Sequence, residues 1–170
     1  MPGTAKYGLP YPALSDAPNG PLGLQNLANA VDALGVIGGK RQTSTGAVIS
    51  TIETTVVDTQ TLALPANSVF ALDFDLCFTA SVAGNDLSMK IRLTSVSGTI
   101  LGEAAAEGVY VTPEQNRGHL RVIYKTTLAE LDYFAGTVIH IGTGSGTVTP
   151  VPPTSLIVTN LGPNTVIGDY

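Results

Sequence analysis

Two histidines, one cysteine and 13 carboxylates carry most of the catalytic or metal-binding chemistry open to this sequence. His119 and His140 fall on separate predicted strands. Neither has a carboxylate or second ligand at metal spacing in its own stretch of chain, and a metal site needs such a cluster. His140, between Ile139 and Ile141, reads as a residue on a solvated or interface face. Asp73 and Asp75 share one strand face, roughly 7 Å apart by strand rise. That spacing suits paired-carboxylate glycoside hydrolysis. The outer face of a half-buried strand must be polar in any case, and Asp supplies that; Glu103 and Glu107 read the same way. Asn85-Asp86 is a turn pair with too few oxygen ligands around it for Ca²⁺. Ser97-Gly98 and the glycine-rich run 142–146 lack the Lys-Ser/Thr of a phosphate loop. Ser145 is followed directly by Gly146, which breaks the Gly-x-Ser-x-Gly spacing of a nucleophile elbow. Cys77 alternates with the two aspartates and has no histidine near it in sequence, so it reads as a small buried or interface residue. A lone cysteine also allows no intrachain disulfide and no multi-thiolate metal site. These residues predict a binding or structural protein rather than an enzyme, with no catalytic, cofactor or metal site.

The elements that would position such residues are strands. Val48, Ile52 and Val56 alternate with Ser, Thr and Glu in a first long strand, and Gln60–Leu64 follows before the turn residues Pro65–Ser68. Val69–Thr79 carries the strongest pattern: Phe70, Leu72, Phe74, Leu76 and Phe78 on one face, Ala71, Asp73, Asp75 and Cys77 on the other. The first face holds three of the four phenylalanines, which places it at the centre of the core. A hairpin-type turn at 83–86 leads into Leu87–Val96, and Ser97-Gly98 turns into Thr99–Ala106. His119–Thr127, Thr137–Gly142 and Ser155–Leu161 complete the set, with Gly144–Pro153 as a loop and Thr127–Phe134 open to a helical turn. About eight strands at this spacing, without interleaved helices, predict a sandwich or barrel. A jelly-roll-like sandwich comes first and an immunoglobulin-like sandwich second.

The first 40 residues differ. Five prolines in residues 1–23 prevent continuous helix and central strand. The segment is extended, yet carries Tyr7, Leu9, Tyr11 and Leu14. It reads either as a flexible leader or as an arm that docks on a partner. Leu24, Leu27, Val31 and Leu34 then follow the a/d spacing of a heptad, with Pro21 before them and Gly35 after. A helix of about three turns is marginal alone. Its stripe must pack on its own body or on copies of itself. Gly35, Gly38 and Gly39 predict a hinge. The expected organisation is an arm at 1–23, a short amphipathic helix at 24–35, a glycine-rich hinge at 36–45 and a β-sandwich at 46–170.

Composition narrows the function. Only 12% of the 170 residues are charged, 44% are hydrophobic, and glycine (19), proline (11) and threonine (21) fill much of the rest. Disordered chains are richer in charge and poorer in Val, Leu and Ile. Mainly helical chains are rich in Ala, Glu, Lys, Leu and Arg. With a net charge of −5 and eight scattered Lys and Arg, there is no basic footprint for nucleic acid. Nor is there a polybasic segment or an apolar span for a membrane. So low a charge fits a chain whose surface is largely covered by copies of itself or by a shell.

The N-terminal residues Tyr7-Gly8-Leu9-Pro10-Tyr11-Pro12, Ser15-Asp16-Ala17-Pro18-Asn19 and Gln25-Asn26-Leu27-Ala28-Asn29-Ala30-Val31-Asp32 resemble the opening signature of tailed-bacteriophage virion proteins, notably of actinobacteriophages. These are capsid decoration proteins, head fibres and minor tail proteins. The closing run Leu156–Thr165 resembles their last strand. The resemblance covers residues 7–32 and 137–165. It implies a homotrimer with an all-β, tumour-necrosis-factor-type jelly-roll body, located in the virion. By the resemblance, Tyr7, Leu9, Pro10, Tyr11, Pro12 and Leu14 would dock on the major capsid protein, and Leu24, Leu27, Val31 and Leu34 would meet at the threefold axis. The body would face outward, stabilising the shell and touching host cell-surface carbohydrate. The alternative place is the tail, as a minor tail or baseplate receptor-binding protein.

Overall fold

A computed structural model describes residues 35–141 and 146–164. Eleven strands run through them: β1 (Gly35–Arg41), β2 (Thr54–Asp58), β3 (Leu62–Leu64), β4 (Ser68–Ala80), β5 (Asn85–Leu93), β6 (Ile100–Gly108), β7 (Asn116–Lys125), β8 (Glu130–Asp132), β9 (Phe134–His140), β10 (Val148–Pro150) and β11 (Ser155–Pro163). One sheet has the order β1–β11–β4, with β7 on the far side of β4 and β10 beside the end of β4. The other has the order β2–β9–β5–β6, and β3 and β8 form a separate ribbon. Every strand pair is antiparallel. Without the three-residue strands, chain order across the sheets is first–eighth–third–sixth and second–seventh–fourth–fifth. That is the order of a jelly roll. It displaces the immunoglobulin-like alternative.

The phenylalanine row of β4 behaves as its alternation predicts. Phe70, Leu72, Phe74, Leu76 and Phe78 are all buried, and Leu87, Met89 and Ile91 of β5 and Phe134 and Val138 of β9 join them in one core. Each such side chain contributes about 1.5–3 kcal/mol by leaving water. Gly136 of β9 makes room for the row, since a Cβ there would stand 2.9 Å from the Phe74 ring. Tyr124 meets Phe134 edge to face, with ring centroids 5.3 Å apart.

Four expectations change. The hinge at 36–45 is instead an edge strand: Gly35–Arg41 is β1, laid along β11. Its glycines serve close approach, because a Cβ on Gly38 would overlap Leu62 and one on Gly39 would lie 2.7 Å from the Leu156 carbonyl. The sandwich therefore begins at Gly35 and not at residue 46. The long strand over Val48–Val56 is broken. Ile49 makes a bridge to Val148, Ile52 is exposed, and regular pairing starts only at Thr54. The stretches 144–153 and 127–134, read as a loop and a helical turn, contain β10 and β8. The arm and the helix stripe at 24–34 lie outside the described residues.

Candidate functional site

The β4–β7 register brings together residues the sequence left apart. Arg121 stands opposite Asp73 and His119 opposite Asp75. His119 Nδ1 is 2.8 Å from Asp75 Oδ1, and its Nε2 is 3.9 Å from Asp73 Oδ1; Arg121 Nε is 3.5 Å from the same Asp73 oxygen. His119 therefore does have carboxylate neighbours, the nearer of them, Asp75, 44 positions away in the chain. The side chains lie on an open sheet face, where such pairs contribute only about 0.2–1 kcal/mol each. Among the described residues no group of three or more His, Cys, Asp or Glu could hold a metal ion.

His140 is buried, which corrects its reading as a solvated or interface residue. Gly136, Val138 and His140 form the inner row of β9, and Ile141 points outward. The His140 Nε2 is 3.2 Å from Asn85 Oδ1, and the Asn85 amide donates to the Thr147 carbonyl at 3.3 Å. Asn85 is thus a buried strand residue and not a turn residue. Cys77 is buried, and its thiol donates to Gln115 Oε1 at 3.2 Å. Gly98 belongs to a turn, and its carbonyl accepts from Arg92. The docking residues Tyr7, Leu9, Pro10, Tyr11, Pro12 and Leu14 and the stripe Leu24, Leu27, Val31 and Leu34 lie outside the described residues.

The two outer faces of the sandwich differ. On the β2–β9–β5–β6 face, Glu53 accepts hydrogen bonds from Arg92 Nε at 2.6 Å and Arg92 Nη2 at 2.8 Å, from Lys90 Nζ at 3.3 Å, and from the Thr137 hydroxyl. Lys90 also lies 3.7 Å from Glu103, which accepts from Ser88. The Glu53, Lys90 and Arg92 side chains are only 13–15% exposed. The Arg92 hydrogen bonds, helped by Thr137 and by the charges of Arg92 and Lys90, outweigh burial and hold the Glu53 carboxyl down at about 2. On the same face Asp86 and Glu107 stand opposite each other and are exposed. No sequence pattern marked the network, because Glu53 and Arg92 are 39 residues apart and meet only through the sheet.

The outer face of the β1–β11–β4–β7 sheet is open. By strand alternation it carries four cations (Arg41, Arg117, Arg121 and Lys125) against two carboxylates (Asp73 and Asp75), on a chain whose net charge is −5. A shallow groove of about 750 Å³ crosses it, lined by Ile37, Gly39, Arg41, Asp75, Arg117 and Ile157 among others. The body also has two unlike poles. Residues 1–34 join it at Gly35, which pairs with Asn160 beside the start of β4, and the Asn164 amide donates to the Asn67 carbonyl at the same pole. The loops at the other pole carry the exposed Val82, Val109, Tyr110 and Val111. Asn116, itself buried, holds Tyr110 from both sides, accepting from its amide and donating to its carbonyl, each at 2.8 Å. Asn116→Ala is expected to cost about 1–2 kcal/mol. It should also speed hydrogen exchange at the Tyr110 amide more than at the β4 amides, which exchange mass spectrometry reads directly.

No protein-family model matches the sequence, and no curated protein matches it. Solved structures align with it at low identity. The Eiger TNF of S. frugiperda aligns with a TM-score of 0.50 at 12% identity, over 80% of this chain and 96% of that one. A mutant VP2 protein of infectious bursal disease virus, from derived T=1 particles, aligns with a TM-score of 0.46 at 17% identity, over 74% of this chain and 32% of that one. The C-terminal CBM6 of LamC from Zobellia galactanivorans aligns with a TM-score of 0.38 at 14% identity, over 71% of this chain and 87% of that one. The body is an all-β sandwich with a tumour-necrosis-factor-like jelly roll.

Proposed function

We propose that this chain is a structural virion protein: a homotrimeric capsid decoration protein, or head fibre, held on the major capsid protein by its N-terminal arm. The observation that carries this reading is the polarity of the body. Residues 1–34 attach at the pole where β4 begins, and the loops with Val109, Tyr110 and Val111 stand free at the opposite one. A tether at one end and exposed loops at the other form a display arrangement. In it, Tyr7, Leu9, Tyr11 and Leu14 fill apolar grooves of the shell, and the prolines lower the ordering entropy of docking. Leu24, Leu27, Val31 and Leu34 meet at the threefold axis. The jelly roll faces outward, stabilises the shell and contacts host-surface carbohydrate. Of the tyrosines available to stack on sugar rings, Tyr110 is exposed while Tyr124 packs on Phe134.

The test is reconstitution. Capsids lacking the protein are mixed with the full chain or with a chain lacking residues 1–23, then sedimented. The full chain is expected on the particle at hundreds of copies, and the shortened chain in the supernatant. A handful of copies confined to the tail would favour the minor tail or baseplate receptor-binding reading. A full chain that sediments as a monomer at every concentration overturns the trimer.

A further inference from the structure

We propose that the β3–β8 ribbon is a flap that closes more firmly on the body in mild acid, because Glu130 and Asp132 share its inner face with no cation beside them among the described residues. The inference stands on the body alone and does not depend on the assembly reading above.

The ribbon has two unlike faces. Leu62 stands opposite Asp132, Ala63 opposite Leu131 and Leu64 opposite Glu130, and residues directly opposite share a face. Ala63 and Leu131 are exposed, Leu64 is buried, and Leu62, Glu130 and Asp132 are half-buried. The inner face therefore holds two carboxylates, roughly 7 Å apart by strand rise. Both ends of the ribbon are pinned to the body. The Thr126 hydroxyl donates to the Pro65 carbonyl at 2.6 Å. The Thr59 amide donates to the Phe134 carbonyl at 2.8 Å, and the Phe134 amide to the Thr59 hydroxyl at 2.9 Å. Between these pins lies a two-stranded unit with little stability of its own.

The elements packed around the ribbon do not neutralise the pair. From β7, the Tyr124 hydroxyl donates to Glu130 Oε1 at 2.7 Å, and burial pushes this phenol up, so it stays a donor. Lys125, the next residue, falls in the other row of that strand. From β1, Gly38 meets Leu62 and brings no charge, while Lys40 is held by Asp58 at 2.8 Å. At the end of β5, Arg92 is held by Glu53 at 2.6 Å. Asp132 is left facing the charge of Glu130. Burial first, and then that charge, push its carboxyl above its ordinary 3.8.

When the ribbon lifts, Asp132 returns to water and to its ordinary value. The closed ribbon thus holds the proton more tightly than the open one. Closure is favoured as pH falls through the raised value, and the gain is complete below about 3.8, where both forms are protonated. At neutral pH the two charges work to lift the ribbon. Its Leu62 lies against Gly38 of β1, the strand into which residues 1–34 lead. The pole at which residues 1–34 join the body is therefore firmest in mild acid.

The experiment is hydrogen-exchange mass spectrometry on the full chain between pH 7 and 4.5, with rates corrected for the intrinsic effect of pH. Glu53 keeps nearly all of its contribution over that range, so the β4 amides serve as a steady reference. Protection of residues 62–64 and 130–132 relative to β4 is expected to rise roughly threefold or more on acidification. D132N keeps the shape and removes the charge; its ribbon is expected to be well protected at both ends of the range. E130Q keeps an oxygen to accept from Tyr124 and removes the facing charge. It is expected to raise protection at pH 7 and shrink the pH dependence, and it decides the matter if D132N fails to fold. Ribbon protection in the wild type that stays level or falls on acidification overturns the flap, as do variants that keep the wild-type slope.

Discussion

Glu53→Gln lowers the stability of the body by about 3 kcal/mol at neutral pH and flattens its response to acid. The magnitude follows from linkage. Hydrogen bonds from Arg92 and Thr137 and the charges of Arg92 and Lys90 bring the carboxyl from 4.5 to about 2, and each pH unit of such a difference is worth about 1.4 kcal/mol. The sign is that of a depressed acid. The unfolded chain takes up the proton first, so the contribution is fully present above about 4.5 and is lost as pH falls toward about 2. Glutamine keeps the shape but removes the charge, which leaves Arg92 mostly buried without its paired carboxylate and Lys90 with only Glu103, 3.7 Å away. Removing one partner of such a pair costs about 3–5 kcal/mol. Asp132 works in the opposite direction, since burial and the charge of Glu130 push its carboxyl up. The difference between wild type and variant isolates Glu53. Urea melts at neutral and acid pH measure it, and two curves that stay parallel down to low pH would refute the assignment.

Phe74→Ala is expected to cost about 4 kcal/mol, within the range for truncating a buried phenylalanine. Phe74 is fully buried in mid-β4, and its ring fills the space that Gly136 leaves on the facing sheet. A rigid sandwich does not collapse around the resulting void, so the cavity penalty adds to the lost transfer energy. A domain of this size has about 5–15 kcal/mol in hand, so this one change removes a large part of it. Phe74→Leu should cost less, because it retains most of the apolar volume. Chemical denaturation of both variants gives the ordering. A loss below about 1 kcal/mol for the alanine variant would show that β4 is not the centre of the core.

These two sites define the part of the molecule that holds still. The core row of β4 and the Glu53 network brace the sandwich from inside and from one outer face. The other outer face and the far loops keep their exposed groups: Arg41, Arg117, Val109 and Tyr110.

Local alternation reveals a good deal of this in advance. The period-two run from Val69 to Thr79 identifies β4, its inward face and the all-β class, because side-chain direction along a strand depends only on neighbours in sequence. The shortage of charge, the proline arm and the leucine stripe are equally local. Where a pattern was weak, a competing local reading won. The glycines of β1 look like a hinge until Leu62 and the Leu156 carbonyl are seen pressed against them. The isoleucines around His140 look inward until Gly136 and Val138 decide which row of β9 faces the core. What no single stretch contains is register. The meetings of His119 with Asp75 and of Glu53 with Arg92 arise when distant strands lie side by side. So do the jelly-roll order of the strands and the gathering of Arg41, Arg117, Arg121 and Lys125 on one outer face. Composition and alternation settled by themselves that this is a charge-poor β-sandwich with a distinctive N-terminal segment. Only the tertiary structure decided which of its few charges pair with one another and which remain exposed, because pairing across a sheet depends on strand order and not on sequence distance.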